Sequence, residues 1–259
     1  MNSSRRDFLK LAGVSAAGLS AATLGLIGPG AMAQDVILPQ AQDFEHPLTA
    51  KRWAMVIDTA KFNDELQQKC IHACHSIHNV PTIEGRQEIK WIWTASFDEA
   101  FPTEQPKYLA EAVEERKYLL LCNHCTNPPC VRVCPTKATF QREDGLVMMD
   151  YHRCIGCRFC MAGCPFGARS FNFRDPADYI KEPNLTFPHR TRGVVEKCTF
   201  CVERLAKGQQ PACVEASQGA MLFGDLEDPN SEVRQALRER YAIRRKPDAG
   251  TEPGVYYIL

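Results

Sequence analysis

Between the two densest cysteine runs, residues 137–150 read KATFQREDGLVMMD, a polar centre flanked by stretches that mix apolar and polar positions. Two short strands are predicted around Glu143-Asp144-Gly145, because Asp-Gly is a hairpin turn signal. Strand, cysteine-bearing loop and helix then alternate along the chain. Cys70, Cys74 and His78 fall at i, i+4 and i+8, which is one face of a helix. Leu11–Ile27 is a mild Ala/Gly/Leu stretch, short of the about 18 strongly apolar residues a membrane span needs, and no other segment comes closer. The pattern predicts an α+β protein, and 259 residues allow one large domain or two small ones.

Composition changes this picture little. Apolar content of 44% and charged content of 24% are ordinary for a globular chain. The formal net charge is zero, so no polyanion-binding surface is indicated and nucleic-acid binding is excluded. The N-terminus is more informative. Ser4-Arg5-Arg6-Asp7-Phe8-Leu9-Lys10 precedes the weakly apolar stretch, and Ala31-Met32-Ala33 stands before Gln34. These are a basic region, an apolar region and an A-x-A cleavage site. The S-R-R-x-F-L-K pattern resembles a twin-arginine export signal; an ordinary secretory signal with two arginines is the alternative. Residues 1–33 are therefore expected to be a signal peptide and 34–50 a linker, leaving a soluble, periplasmic protein. Twin-arginine export implies cargo that folds around its cofactor first, so the cysteines are expected to hold metal and not to pair as disulfides.

Thirteen cysteines define the candidate site. CNHCTNPPCVRVCP places Cys122, Cys125, Cys130 and Cys134 before Pro135, and CIGCRFCMAGCP places Cys154, Cys157, Cys160 and Cys164 before Pro165. CTFCVERLAKGQQPACVEAS supplies Cys198, Cys201 and Cys213, with Ser217 where a fourth cysteine would fall. All three runs share C-x2-C followed by C-x3-[C/S]. Cys70-x3-Cys74 is the same template without its C-x2-C half, so the chain holds a four-fold internal repeat. A cubane [4Fe–4S] cluster needs one thiolate per iron, and a C-x2-C-x2-C loop wraps three corners. Zinc ribbons use C-x2-C pairs two by two, without the three-plus-one grouping and following proline. Cysteines two residues apart pair poorly as disulfides. Ala138 and Ala168, each four residues after the last cysteine of its run, are small where a helix start must approach a cluster, although either alone could be chance.

Run 154–164 resembles the bacterial two-cluster ferredoxins residue for residue. In that family the cysteine before the proline ligates the other cluster of the pair. Applied here, the resemblance implies a first set of Cys122, Cys125, Cys130 and Cys164. It implies a second set of Cys154, Cys157, Cys160 and Cys134, and a third of Cys198, Cys201, Cys213 and Cys74. A fourth site would retain only Cys70, with Ser217 in place of its far cysteine, so three [4Fe–4S] clusters are expected and Cys70 is left over. The competing account takes Cys70, Cys74 and His78 as a local zinc or haem site. That leaves Cys198, Cys201 and Cys213 one ligand short unless Ser217 binds through oxygen. His72, His75 and His124 are read as solvent-facing groups or as neighbours of ligands.

From about Trp53 to Phe223 the pattern resembles the four-cluster iron–sulfur subunits of membrane-bound oxidoreductases, as in dimethyl sulfoxide reductase, polysulfide reductase and NrfC-type systems. Within that family the twin-arginine signal, three complete sets and the ending GVYYIL resemble most the periplasmic subunit of Dsr-type complexes in sulfur metabolism. The fold this implies is two bacterial-ferredoxin-like lobes in one polyferredoxin domain at 51–224. Lobe one is 118–175, and lobe two is 51–82 with 194–224. Segment 83–117 is expected as a surface insertion and 225–259 as a C-terminal extension, both contacting partners, with structural packing an equal reading for Trp91 and Trp93. The function implied is electron transfer, with no catalytic residues in this chain. Its partners would be an NrfD-type integral membrane quinone-binding subunit and a multihaem cytochrome c, with peripheral attachment to the membrane through a partner. An electron-transfer subunit of an exported molybdenum oxidoreductase or hydrogenase is the alternative, and a zinc-binding structural module a remote one.

Overall fold

The computed structural model describes residues 46–259 apart from Gln105. The expected signal peptide at 1–33 and most of the expected linker at 34–50 lie outside the described residues. Nine strands are found among the described residues. They are β1 (Trp53–Asp58), β2 (Ile92–Ala95), β3 (Tyr118–Leu121), β4 (Thr139–Gln141), β5 (Val147–Met149), β6 (Ser170–Phe171), β7 (Val195–Glu196), β8 (Met221–Asp225) and β9 (Val255–Ile258). They form a three-stranded sheet in the order β8-β1-β9 and three pairs, β2-β3, β4-β5 and β6-β7. The longer helices are α1 (Asp64–Ile77), α2 (Ala212–Ala216) and α3 (Glu232–Glu239); the others are single turns. This is the expected α+β class, built from small sheets held together by loops and short helices. Among the described residues no helix is long and apolar enough to cross a membrane.

Strand β1 is buried along its whole length, and its period of two explains why. Trp53, Met55 and Ile57 face the main core, whereas Ala54 and Val56 pack with Val233 of α3 and with Ile258 of β9. β8 pairs with β1 antiparallel and β9 pairs with it in parallel. Helix α1 starts where Asn63 caps it, its side chain accepting from the Leu66 N–H at 2.8 Å, with Asp64 and Glu65 at the positive end of the helix dipole. Gln67, Cys70 and Cys74 form its buried face.

The expected hairpin is present: β4 pairs with β5 across the turn containing Glu143, Asp144 and Gly145, with Gly145 at φ +84°. Segment 83–117 and the tail differ from the expected surface additions. β2 pairs with β3 through the register Ile92↔Leu121, and Ile89, Trp91, Ile92, Phe97 and Phe101 are all buried. β9 completes the sheet of β1, and Val255 and Tyr257 are fully buried. Both additions fill the core because β1 and β3 are apolar on both faces and need cover that the cysteine units do not supply.

Candidate metal centre

β3 ends at Leu121 and delivers Cys122 directly into a loop. A small cavity there is lined by Cys122, Cys125, Cys130 and Cys164, the first expected set, together with Val147, Phe166 and Arg169. A second small cavity is lined by Cys134, Cys154, Cys157 and Cys160, the second expected set, with Ala138, Met149 and Val195. Cys164 thus lies beside the cysteines of the first run and Cys134 beside those of the second. The third set comes together where α1 packs on α2. Burial and then the charges of Cys198, Cys201 and Cys213 all push the Cys74 thiol well above its ordinary pKa.

The loops share one backbone device. The residue before the second cysteine of each C-x2-C takes a left-handed conformation: His124 at φ +40°, Gly156 at φ +69° and Phe200 at φ +54°. Two of the three residues, His124 and Phe200, adopt it at the steric cost of carrying a Cβ. At Gly156 no side chain fits, since a Cβ would stand 2.4 Å from the Gly193 carbonyl.

The residues fit iron–sulfur clusters better than zinc. Four thiolates around one zinc ion at about 2.3 Å would bring their sulfurs within roughly 4 Å of one another. Among the described residues, the one group of potential ligands within 4.8 Å of one another is His78, Cys201 and Glu203, so no cysteine set is gathered that closely. Splayed sulfurs around a cavity suit a cubane. None of the thirteen cysteines is paired in a disulfide. Donors also point at the sulfurs. The N–H groups of Thr139, Phe200 and Ala212 reach Cys134, Cys198 and Cys201 at 3.4 Å each, and the Arg169 guanidinium reaches Cys130 at 3.2 Å. Such bonds stabilise sulfur that carries negative charge.

Burial dominates the thiol chemistry. It pushes Cys125 and Cys198 up to about 12, with nearby cysteine charges adding to it. Cys134 shows the opposite balance. Burial works to raise its pKa, but bonds from Thr139, Thr136 and Ala138 bring it below the ordinary value. Buried thiols of this kind ionise only when metal charge compensates them.

The remaining members of the repeat are accounted for. Ser217 is fully buried, and its hydroxyl donates to the Val214 carbonyl at 2.7 Å and accepts from the Met221 N–H at 2.9 Å. Its oxygen is engaged by backbone, which argues against a ligand role. Cys70 is fully buried on α1, and burial alone lifts its pKa to about 11. His78 follows the end of α1 with Nδ1 at 2.8 Å from the Cys74 carbonyl, while Nε2 is 2.8 Å from Glu203 Oε1. Both ring nitrogens have partners, and Cys70 is not grouped with His78 and Cys74 as the competing local site requires.

Residues 118–177 match the family model described as a 4Fe-4S dicluster domain. The chain is 42% identical to the Hdr-like menaquinol oxidoreductase iron-sulfur subunit 1 of Archaeoglobus fulgidus, over 98% of this chain and 97% of that protein. It is 37% identical to the B subunit of tetrathionate reductase from Salmonella typhimurium, over 100% of this chain and 89% of that one. It is 35% identical to the menaquinone reductase iron-sulfur cluster-binding subunit of Nitratidesulfovibrio vulgaris, over 80% and 88%. The chain belongs to the iron–sulfur subunit family of membrane oxidoreductases. It has a ferredoxin-like 4Fe-4S domain, and its relatives are electron-transfer subunits of oxidoreductase complexes.

Three further buried polar residues link the sets of this family member. His124 accepts the Val147 N–H on Nδ1 at 3.0 Å, so its Nε2 carries hydrogen and donates to the Cys198 carbonyl at 3.2 Å. Burial and the nearby Lys197 charge hold its pKa well below the ordinary histidine value, so it stays neutral. His124 stacks on Phe200 with centroids 3.8 Å apart, tying the first loop to the third. Of the three histidines set apart in the sequence, His72 is exposed, His75 half-buried and His124 a neighbour of ligands. Lys197 is fully buried, its Nζ donating to the Cys198 carbonyl at 2.6 Å. Arg169 stands between the first and second sets. Sequence reasoning missed both cations; the signals present were a lysine directly before Cys198 and an arginine directly after Ala168.

Proposed function

We propose that this chain is a periplasmic electron-transfer subunit with three [4Fe–4S] clusters, in two ferredoxin-like lobes, held by Cys122/Cys125/Cys130/Cys164, Cys154/Cys157/Cys160/Cys134 and Cys198/Cys201/Cys213/Cys74. A [4Fe–4S] cluster takes up and releases single electrons, and the protein's part is to hold, space and shield it. The observation that supports this reading most is the convergence of the first two sets on separate cavities, with the third set's thiols as mutual neighbours. The first set neighbours both others, through Arg169 on one side and through Cys122 beside Cys198 on the other.

The relatives named for menaquinol and menaquinone support a quinone-interacting, NrfD-type membrane subunit as one partner. On the Dsr-type reading the other partner is a multihaem cytochrome c that meets the third set. Similarity to the tetrathionate reductase chain along the whole sequence favours a second reading, a subunit of a molybdenum oxidoreductase. Anaerobic analysis of the purified protein should give about twelve irons and twelve sulfides per chain, four of each per cube. About sixteen irons, or stoichiometric zinc, would overturn the ligand scheme. The proposed twin-arginine export is tested by Arg5→Lys with Arg6→Lys, expected to leave cluster-loaded precursor in the cytoplasm. Identification of the co-purifying subunits, haem or molybdenum, separates the two readings of the partner.

A further inference from the structure

Arg169 is 4% exposed. It lies two residues after Gly167, where the chain has passed Cys164 and is about to enter β6. Its NH2 donates to Cys130 Sγ at 3.2 Å, and its NH1 donates to Thr139 Oγ1 at 3.2 Å and approaches Met149 Sδ at 3.8 Å. Cys130 belongs to the first set, and Met149 lines the cavity of the second. Its charge is felt by Cys130 and Cys122 of the first set and by Cys160 of the second. Among the described residues no carboxylate forms an ion pair with it.

A guanidinium in this position is out of water and without an acidic partner, an arrangement that proteins seldom tolerate unless other negative charge offsets it. The neighbours that can carry such charge are cysteine sulfurs. Arginine keeps its proton throughout the working pH range, so the charge is fixed. It is held in place by Thr139, whose own N–H donates to Cys134 of the second set.

We propose that Arg169 is a positioning residue for electron transfer, which raises the reduction potentials of the first and second clusters, the first more strongly, and so makes this neighbouring pair the electron-holding segment of the chain. The inference rests on the ligand sets given under Proposed function. Reduction adds one negative charge to a cluster, and a fixed positive charge in a medium of low dielectric stabilises that reduced form more than the oxidised one. The exchange within the pair is balanced without other reactants: one cluster loses one electron, its neighbour gains it, and no proton moves. The direct N–H···S bond falls on Cys130, which is why the first cluster is the one affected more.

The test uses the purified, cluster-loaded full chain, with Arg169→Gln and Arg169→Lys compared by potentiometric titration followed by electron paramagnetic resonance. Iron is counted in each sample. In Arg169→Gln the reduction equilibrium of the first cluster should fall at least about tenfold, which is about 59 mV for one electron, and that of the second by less. Arg169→Lys should restore most of the shift, because it restores charge without the forked geometry. Wild-type midpoints in a fully iron-loaded Arg169→Gln protein would overturn the proposal. An iron count inconsistent with three clusters in the unmodified protein would instead overturn the ligand scheme. Should Arg169→Gln fail to load, Thr139→Val removes the hydroxyl that steadies the guanidinium and keeps the backbone N–H to Cys134. A smaller downward shift of the first midpoint there supports the proposal, and an unchanged midpoint overturns it.

Discussion

The second and third cysteine sets are built from the same repeat and differ in how far they are shielded from water. Cys157 is exposed, Cys134 and Cys154 are half-buried and Cys160 alone of that set is buried, whereas Cys74, Cys198, Cys201 and Cys213 are all buried. Around the second set Ile155 and Phe159 are also exposed, at 67% and 59%, although large apolar side chains usually find cover. The third set is enclosed by α1, α2 and the stacked His124–Phe200 pair. The repeat template therefore fixes ligand geometry, while the segments between repeats decide how far each set is from water.

The contrast can be broken most severely at the buried end. Cys74→Ser should lower iron by about four per chain, since it removes one of four ligands, while Cys70→Ser should leave the count unchanged. Equal loss from both would mean that the two cysteines act together and that the set described above is wrong. A smaller effect separates the ends by access. On exposure of the loaded protein to a chelator with mild oxidant, about four irons should leave in a fast phase and the rest slowly. The Cys157→Ser variant should lack that fast phase. Uniform release would show that exposure of Cys157 does not govern stability of the second site.

The smallest expected effect lies at the edge of the buried end, where Arg240 pairs with Asp58 of β1. Burial acts to raise the Asp58 pKa, but the Arg240 hydrogen bond and charge bring it below the ordinary value. A lowered folded-state pKa contributes stability above the unfolded value, and the contribution disappears as pH falls through the folded one. Asp58→Asn should therefore cost about 1 kcal/mol or less near neutral pH. The difference should close as pH drops below about 3.9. A constant difference across that range in chemical denaturation would assign the loss to packing instead of charge.

The parts of this contrast that could be read from the sequence are the local ones. Spacing and proline placement gave the repeat, Asp144-Gly145 gave the β4–β5 turn, and Ala138 and Ala168 are both buried as their small size suggested. The cover was not legible. β9 pairs with β1 across the whole domain, and nothing in VYYI names a partner strand so far away in the chain. Trp91 is polar-anchored as well as buried, its Nε1 donating to Glu196 at 2.7 Å within a cluster that also holds Arg190. Arg169 and Lys197 escaped notice because a charged residue in sequence ordinarily marks a solvated surface. Only the surrounding sulfurs make their burial intelligible.

The tail also sets a timetable. The Gly254 N–H donates to the Asn123 carbonyl at 2.8 Å, and the Thr126 and Asn127 N–H groups donate to Glu252 and Thr251 at 2.9 and 3.0 Å. A Cβ on Gly254 would come within 3.2 Å of the Asn123 carbonyl, so the strand lies flush against the Cys122–Cys125 loop. That loop is synthesised long before its backing, and at roughly 5–20 residues per second the interval is roughly ten seconds. For that time the Cys122–Cys125 loop lacks the backbone hydrogen bonds that residues 251–254 supply, so its finished geometry waits on a segment made about 130 residues later.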